Sequence, residues 1–170
     1  MMRTTEQGFT IVEMVTVIIL LGILSIGGFS AFVQPSAFAP QIVTHELVAQ
    51  ARLARRLAAS RQDAIVSLSM TLVDAQWVFE IRTDIEGLVR TEQVSADHSA
   101  VRITNGALSQ TLGTATSLQI RFNPKGDLDG VIVGTATGDP NQAIAIEVSG
   151  DNDQAACIYT TGYAAQVNCV

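Results

Sequence analysis

A run of twenty residues without a charge, MVTVIILLGILSIGGFSAFV at positions 14–33, limits this chain more than any other feature. A helix of that length covers about 30 Å, the thickness of a bilayer's hydrocarbon core. The alternative is the apolar core of a secretory signal, which is usually shorter, about 7–15 residues, and ends at small residues. Ala37-Phe38-Ala39 resembles such a cut site, but Pro40 would follow the cut and the run is too long. The reading that fits is a retained apolar helix. The remainder of the 170-residue chain suffices for one compact domain. Sixteen Asp and Glu against ten Lys and Arg leave a net charge of −6, which opposes bulk attraction to nucleic acid or anionic lipid.

The residues ahead of the run are sharper still. Met1 to Gly8 is short and polar, and Gly8 precedes Phe9-Thr10-Ile11-Val12-Glu13. A carboxylate at the edge of an apolar helix costs about 2.5–3.5 kcal/mol at the membrane centre and less near an end. Glu13 therefore either marks the membrane surface or answers a partner.

The stretch GFTIVEMVTVIILLGIL resembles the amino terminus of type IV pilins and of the pseudopilins of type II secretion. The resemblance implies cleavage after Gly8 by a prepilin peptidase and methylation of the new amine on Phe9. It also places Glu13 at the family's glutamate, the fifth residue of the mature chain. On a helix, residues four apart share a face, so the new amine and Glu13 lie on one edge. Pairing one subunit's amine with its neighbour's carboxylate would then set the axial register of a helix bundle. Major pilins commonly carry a proline where Ser30 stands; this chain instead has Gly22 and Gly27-Gly28, consistent with either local softening or close helix packing.

Beyond the run, residues 34–40 read as a break, because Pro35 and Pro40 disfavour helix in the residue before each. Residues 41–61 are rich in helix formers, with Val43, Leu47, Ala51, Ala54 and Ala58 on a narrow apolar stripe. Beta-prone runs follow at 64–73, 76–83, 87–94, 117–122, 130–135, 143–148, 156–160 and 162–167. Asn105-Gly106 and Gly138-Asp139-Pro140 mark connections. The expected fold is α+β and pilin-like: a long amino-terminal hydrophobic helix, then an antiparallel β-sheet domain. The expected division is a leader at 1–8, a membrane and assembly helix at 9–33, a break and amphipathic helix at 34–62, and a periplasmic β-rich domain at 63–170.

Three further stretches, LVAQARLARRLAASRQDAIVSLSM, IRFNPKGDLDG and AIAIEV with AACIYTTGY, are similar to GspH/FimT-like minor pilins and pseudopilins. The carboxy-terminal segment is most similar to the MshC-type minor pilins of mannose-sensitive haemagglutinin (MSHA) pili. These resemblances imply a filament subunit rather than an enzyme. Its partners would be other pilin or pseudopilin subunits, the prepilin peptidase, the inner-membrane assembly platform and, before assembly, membrane lipid. The implied location is the inner membrane with the carboxy-terminal domain in the periplasm, then the filament. A type II secretion pseudopilin, or a membrane-anchored module binding DNA or calcium, is the alternative.

Cys157 and Cys169 enclose eleven residues and suit a disulfide in an oxidising compartment. Asp127-Leu128-Asp129-Gly130 resembles a fragment of a calcium loop, but Lys125 sits where an oxygen ligand is needed, so a solvated turn is favoured and no cofactor is expected. Some relatives bind DNA through carboxy-terminal arginines; here every charge after Lys125 is acidic, which argues against it. Arg52, Arg55, Arg56 and Arg61 form a basic cluster that reads as solvated or paired with acids of adjacent subunits. His45 and His98 are isolated, and Ser60, Ser67 and Ser69 lack the context of a hydrolase nucleophile. Trp77 and Phe79 read as core residues of a sheet.

Overall fold

The computed structural model describes residues 10–32, 38–61 and 63–169, with residues 23–32 described by their backbone. The chain divides into two compact units, Met1–Pro35 and Ser36–Val170.

In the first unit, α1 (Ile11–Phe32) is α-helical without interruption, through Gly22 and Gly27-Gly28. Its described side chains are exposed on every side, from Ile11 (84%) and Val12 (72%) to Ile18 (66%) and Leu20 (58%). An amphipathic helix would hide one stripe; the side chains described on α1, up to Gly22, hide none. Among the described residues no helix is long and apolar enough to cross a membrane. The side chains described on α1 stop at Gly22, so much of the expected spanning segment lies beyond them.

In the second unit, α2 (Ala39–Ser60) starts two residues earlier than the sequence suggests, with Pro40 in its first turn. Proline is harmless there, because the N–H it lacks has no partner inside a helix's first turn. The break itself falls largely on residues 33–37, outside the described residues. Val43, Leu47, Ala51, Ala54 and Ala58 are all 0% exposed, so the predicted stripe is the buried face. Small alanines let the helix axis sit close to the strands.

Eleven strands follow: β1 (Val66–Val73), β2 (Gln76–Thr83), β3 (Gly87–Ser95), β4 (Ala100–Asn105), β5 (Leu108–Thr111), β6 (Leu118–Phe122), β7 (Leu128–Val133), β8 (Ala136–Thr137), β9 (Ile144–Ser149), β10 (Gln154–Ile158) and β11 (Ala164–Ala165). They form two antiparallel sheets, ordered β3-β2-β1-β6-β7-β8 and β11-β10-β9-β4-β5. The chain visits them alternately, so each sheet is assembled from two separate stretches. Strand β1 sits centrally, with Leu68 opposite Ile81 on one side and Ile120 on the other. Alternate residues such as Val66, Leu68 and Met70, or Trp77, Phe79 and Ile81, are buried to 1% or less. They join Ile103, Ile144 and Ile146 of the second sheet in one core under α2. Fully burying side chains of this size contributes about 1.5–3 kcal/mol each.

Three expectations need correction. One sheet was expected and two are present. Strands β4, β5 and β8 were not foreseen; β4 reads AVRITN and β5 LSQT, short and polar at alternate places. The run at 162–167 pairs only at Ala164–Ala165, because the chain then turns to return Cys169 to Cys157.

Candidate functional site

Gly8 and Phe9 lie outside the described residues, so the cleavage and methylation expected there are not placed. Glu13 is placed. It occupies the first turn of α1 and is exposed. Its backbone N–H donates to Thr10 Oγ1 at 3.3 Å and to the Thr10 carbonyl at 3.1 Å. Thr10 thus caps the helix three residues ahead of a glutamate, the spacing of a capping box. A carboxylate in a first turn also meets the positive end of the helix dipole. Glu13 therefore has a local task in its own helix, which leaves its carboxylate facing outward and available to a neighbour. The Thr-x-x-Glu spacing is visible in the sequence, although the role of Thr10 was not anticipated.

The carboxy-terminal loop is fastened at several points. The Cys157–Cys169 disulfide is formed, with Cα atoms 5.1 Å apart. Cys157 is fully buried in β10, opposite Ala165 of β11 and Ala145 of β9. Arg52 on α2 reaches across to donate from Nε to the Ala164 carbonyl at 2.8 Å. Its guanidinium lies over the Tyr163 ring, 5.6 Å from the centroid, and Tyr163 stacks on Tyr159 at 6.2 Å. Part of the basic cluster is therefore structural: Arg52 holds this loop, and Arg61 pairs with Glu86 at 2.6 Å.

Asp127 and Asp129 are the weak calcium candidates of the sequence. Asp129 pairs with Arg121 at 3.2 Å. The Asp127 N–H donates to Asn123 Oδ1, which also accepts from the Lys125 N–H, so Asn123 organises the turn itself. Among the described residues no group of three or more His, Cys, Asp or Glu could hold a metal ion. Gly126 in this turn has φ +84° and lies against Arg55; a Cβ there would stand 3.0 Å from Arg55 Cγ. Gly162, with φ +71°, packs so tightly against the Gly126 carbonyl that a side chain would collide with it. Glycine is required at both places, for backbone sign and for space. The turn at 123–126, the turn at 160–162 and the carboxy-terminal half of α2 thus form one junction.

A second polar centre lies at the passage from β8 to β9. Asn105 is 2% exposed, and its Nδ2 donates to the carbonyls of Asp139, Gln142 and Ala143, while its Oδ1 accepts from the Asp139 N–H at 2.6 Å. The Asn141 N–H, then the side chains of Gln142 and Asn141, hold the Asp139 carboxyl below the usual carboxylate range. Asn105 reads from the sequence as a turn residue; in the structure it also ties one sheet's exit to the other's entry. An open groove of about 670 Å³ crosses the outer face of the second sheet, lined by Arg102, Thr111, Glu147, Asp153, Gln154 and Gln166 among others. Arg102 and Glu147 are register partners across β4 and β9.

Among solved structures, this chain is similar to a crystal structure of the type IV minor pilin FimU from Pseudomonas aeruginosa strain PAO1. The match covers 75% of this chain and 87% of that one, with a TM-score of 0.51 and 17% sequence identity. At that identity the likeness speaks for the fold, which is pilin-like. Scans against protein-family models and against the curated proteins give no match.

Proposed function

We propose that this chain is a minor pilin or pseudopilin. It is cut after Gly8, held in the inner membrane by α1, and then incorporated into, or used to prime, a type IV pilus-like filament. The observation that carries the reading is a pilin-like domain on the same chain as a Gly8-Phe9 junction with a glutamate at position 13. Three features support it. The described side chains of α1, Ile11 to Leu21, are apolar and exposed apart from Glu13 and Thr16, a surface that suits lipid first and other subunits later. Glu13 sits outward on that helix at its first turn, where a neighbour's amine can reach it. The disulfide suits an oxidising, exported setting. The finer assignment, a subunit of MSHA-type pili, rests on the likeness of the carboxy-terminal segment to MshC-type minor pilins.

Intact-mass analysis of the chain recovered from sheared filaments tests this directly. A 162-residue product (170 − 8) starting at Phe9 with a methylated amine is expected. Gly8→Asp should leave the full-length precursor in the membrane. An unprocessed Met1, or a start at Pro40, would defeat the proposal. Recovery in a secretion pseudopilus rather than in surface pili would favour the type II secretion reading.

A further inference from the structure

Strand β10 is only partly covered on one side. The second sheet ends in β11, which pairs with β10 through two positions, Cys157 opposite Ala165 and Ile158 opposite Ala164. Gln154, Ala155 and Ala156 therefore form a free edge. Which backbone groups point along that edge follows from the alternation of an antiparallel ladder. The Tyr159 N–H donates to the Tyr163 carbonyl at 2.8 Å, so the N–H and C=O of residues 159, 157 and 155 are directed toward the β11 side. Those of residues 154, 156 and 158 serve β9. Past Ala165 the chain leaves the line of β11, and among the described residues the N–H and C=O of Ala155 meet no partner. Strand β3 is an outer strand too, but it carries the Arg90–Glu92 ion pair, a charged guard of the kind that discourages pairing. Strand β10 has alanines at 155 and 156 instead.

The disulfide is what draws the chain away. Gln166, Val167 and Asn168 are exposed and make no hydrogen bond among the described residues, and the bridge from Cys169 to Cys157 carries them onto the sheet's outer face. The segment that could have continued β11 thus becomes one wall of the groove there, and Ala155 lies in its lining. A row of charge crosses the same face: Ala155 stands opposite Glu147 on β9, and Glu147 opposite Arg102 on β4. Glu147 and Arg102 are exposed, and neither is ion-paired among the described residues. Asp153, two residues before Ala155, adds a second carboxylate to the lining; its Oδ1 accepts from the Gly150 N–H at 3.1 Å. Beside the free edge the balance is two carboxylates to one guanidinium, and Arg102 lies one strand farther from it than Glu147 does.

We propose that this groove binds an extended basic peptide segment of another protein, which adds to β10 at Ala155 in the place left by the chain's own tail. Main-chain bonds to the Ala155 N–H and C=O anchor the segment, and a lysine or arginine opposite Ala155 gives the selectivity. That side chain stands two strand spacings, about 10 Å, from Glu147. A lysine stem and a glutamate side chain span the gap together, because only the methyl group of Ala155 lies between them. An exposed pair between Arg102 and Glu147 would be worth little, so it does not compete with the ligand. The site lies wholly within the unit Ser36–Val170 and does not rest on the filament reading.

The test holds the full chain, disulfide intact, in neutral detergent micelles and titrates it against a fluorescent, acetylated and amidated hexapeptide of alternating valine and lysine. Saturable binding is expected by fluorescence anisotropy. Methylating the backbone nitrogens of the lysines should weaken it about tenfold, since main-chain bonds are lost while the charge is kept. Replacing the lysines by glutamates should abolish it, and Glu147→Lys should let that glutamate peptide bind. Ala155→Pro should abolish binding of the lysine peptide and leave the urea midpoint unchanged, because the N–H it removes serves no bond to β9. Cys157→Ala with Cys169→Ala should weaken binding at least about threefold, because the freed tail can run on from Ala165 and pair with Ala155 itself. No saturable binding up to about 1 mM peptide would overturn the proposal. So would equal binding of the methylated peptide, indifference to the sign of the charge, a collapsed urea midpoint with Ala155→Pro, or unchanged binding without the disulfide.

Discussion

Removing the disulfide is the cleanest perturbation of the carboxy-terminal loop, and its magnitude follows from position and spacing. Cys157 and Cys169 are separated by 12 residues. In the chain-entropy model, opening a loop of that size returns about 9.5 cal/mol/K to the unfolded chain, or about 3 kcal/mol at 25 °C. Cys157 is also 0% exposed, so truncating it to alanine removes one packed heavy atom from the core, at about 1 kcal/mol. The folded loop should stay docked without the bridge, because Arg52 still holds Ala164 and Tyr159 and Tyr163 still exchange backbone contact. The double variant Cys157→Ala/Cys169→Ala should therefore lose about 3–4 kcal/mol, and Cys169→Ala alone about 3. Urea unfolding of the purified oxidised protein, fitted by linear extrapolation, measures both. The urea slope should rise, since the uncrosslinked unfolded chain exposes more surface. A loss below about 1 kcal/mol with an unchanged slope would refute the reasoning, and would mean that the loop's stability resides in its contacts with α2.

The remaining predictions bear on assembly and on the joint between the sheets. Glu13→Gln keeps the Thr10 cap, which uses the backbone N–H of residue 13, and removes only the charge. Insertion and cleavage should be unaffected while the ratio of filament to membrane protein falls modestly; an unchanged ratio in sheared filaments would reject subunit alignment by this carboxylate. Asn105→Ala should cost about 2–3 kcal/mol in urea unfolding, since it strips partners from the Asp139 N–H and from three carbonyls. Normal stability of that variant would show that water replaces the side chain fully.

How much of this was legible beforehand depended on how local the cause is. Strand β2 lies where its alternating WVFEIR pattern puts it, and Trp77 and Phe79 are in the core as read, because burial on a pleated strand repeats every two residues. The inner stripe of α2 was equally plain, since a 3.6-residue period needs no knowledge of what covers it. The cysteine pair was legible for a different reason: with two cysteines in the chain, each had one possible partner. What only the tertiary structure decided is the set of meetings between distant segments. Strands β4 and β5 are short, and β4 is defined by pairing with β9, more than forty residues away. The division into two sheets follows from that pairing. The same holds for Asn105 under the 139–143 passage, for Asp129 drawn to Arg121, and for Gly162 pressed on Gly126. Each of these depends on which surfaces the shared core forces together, and the free energy of that core belongs to no single stretch of sequence.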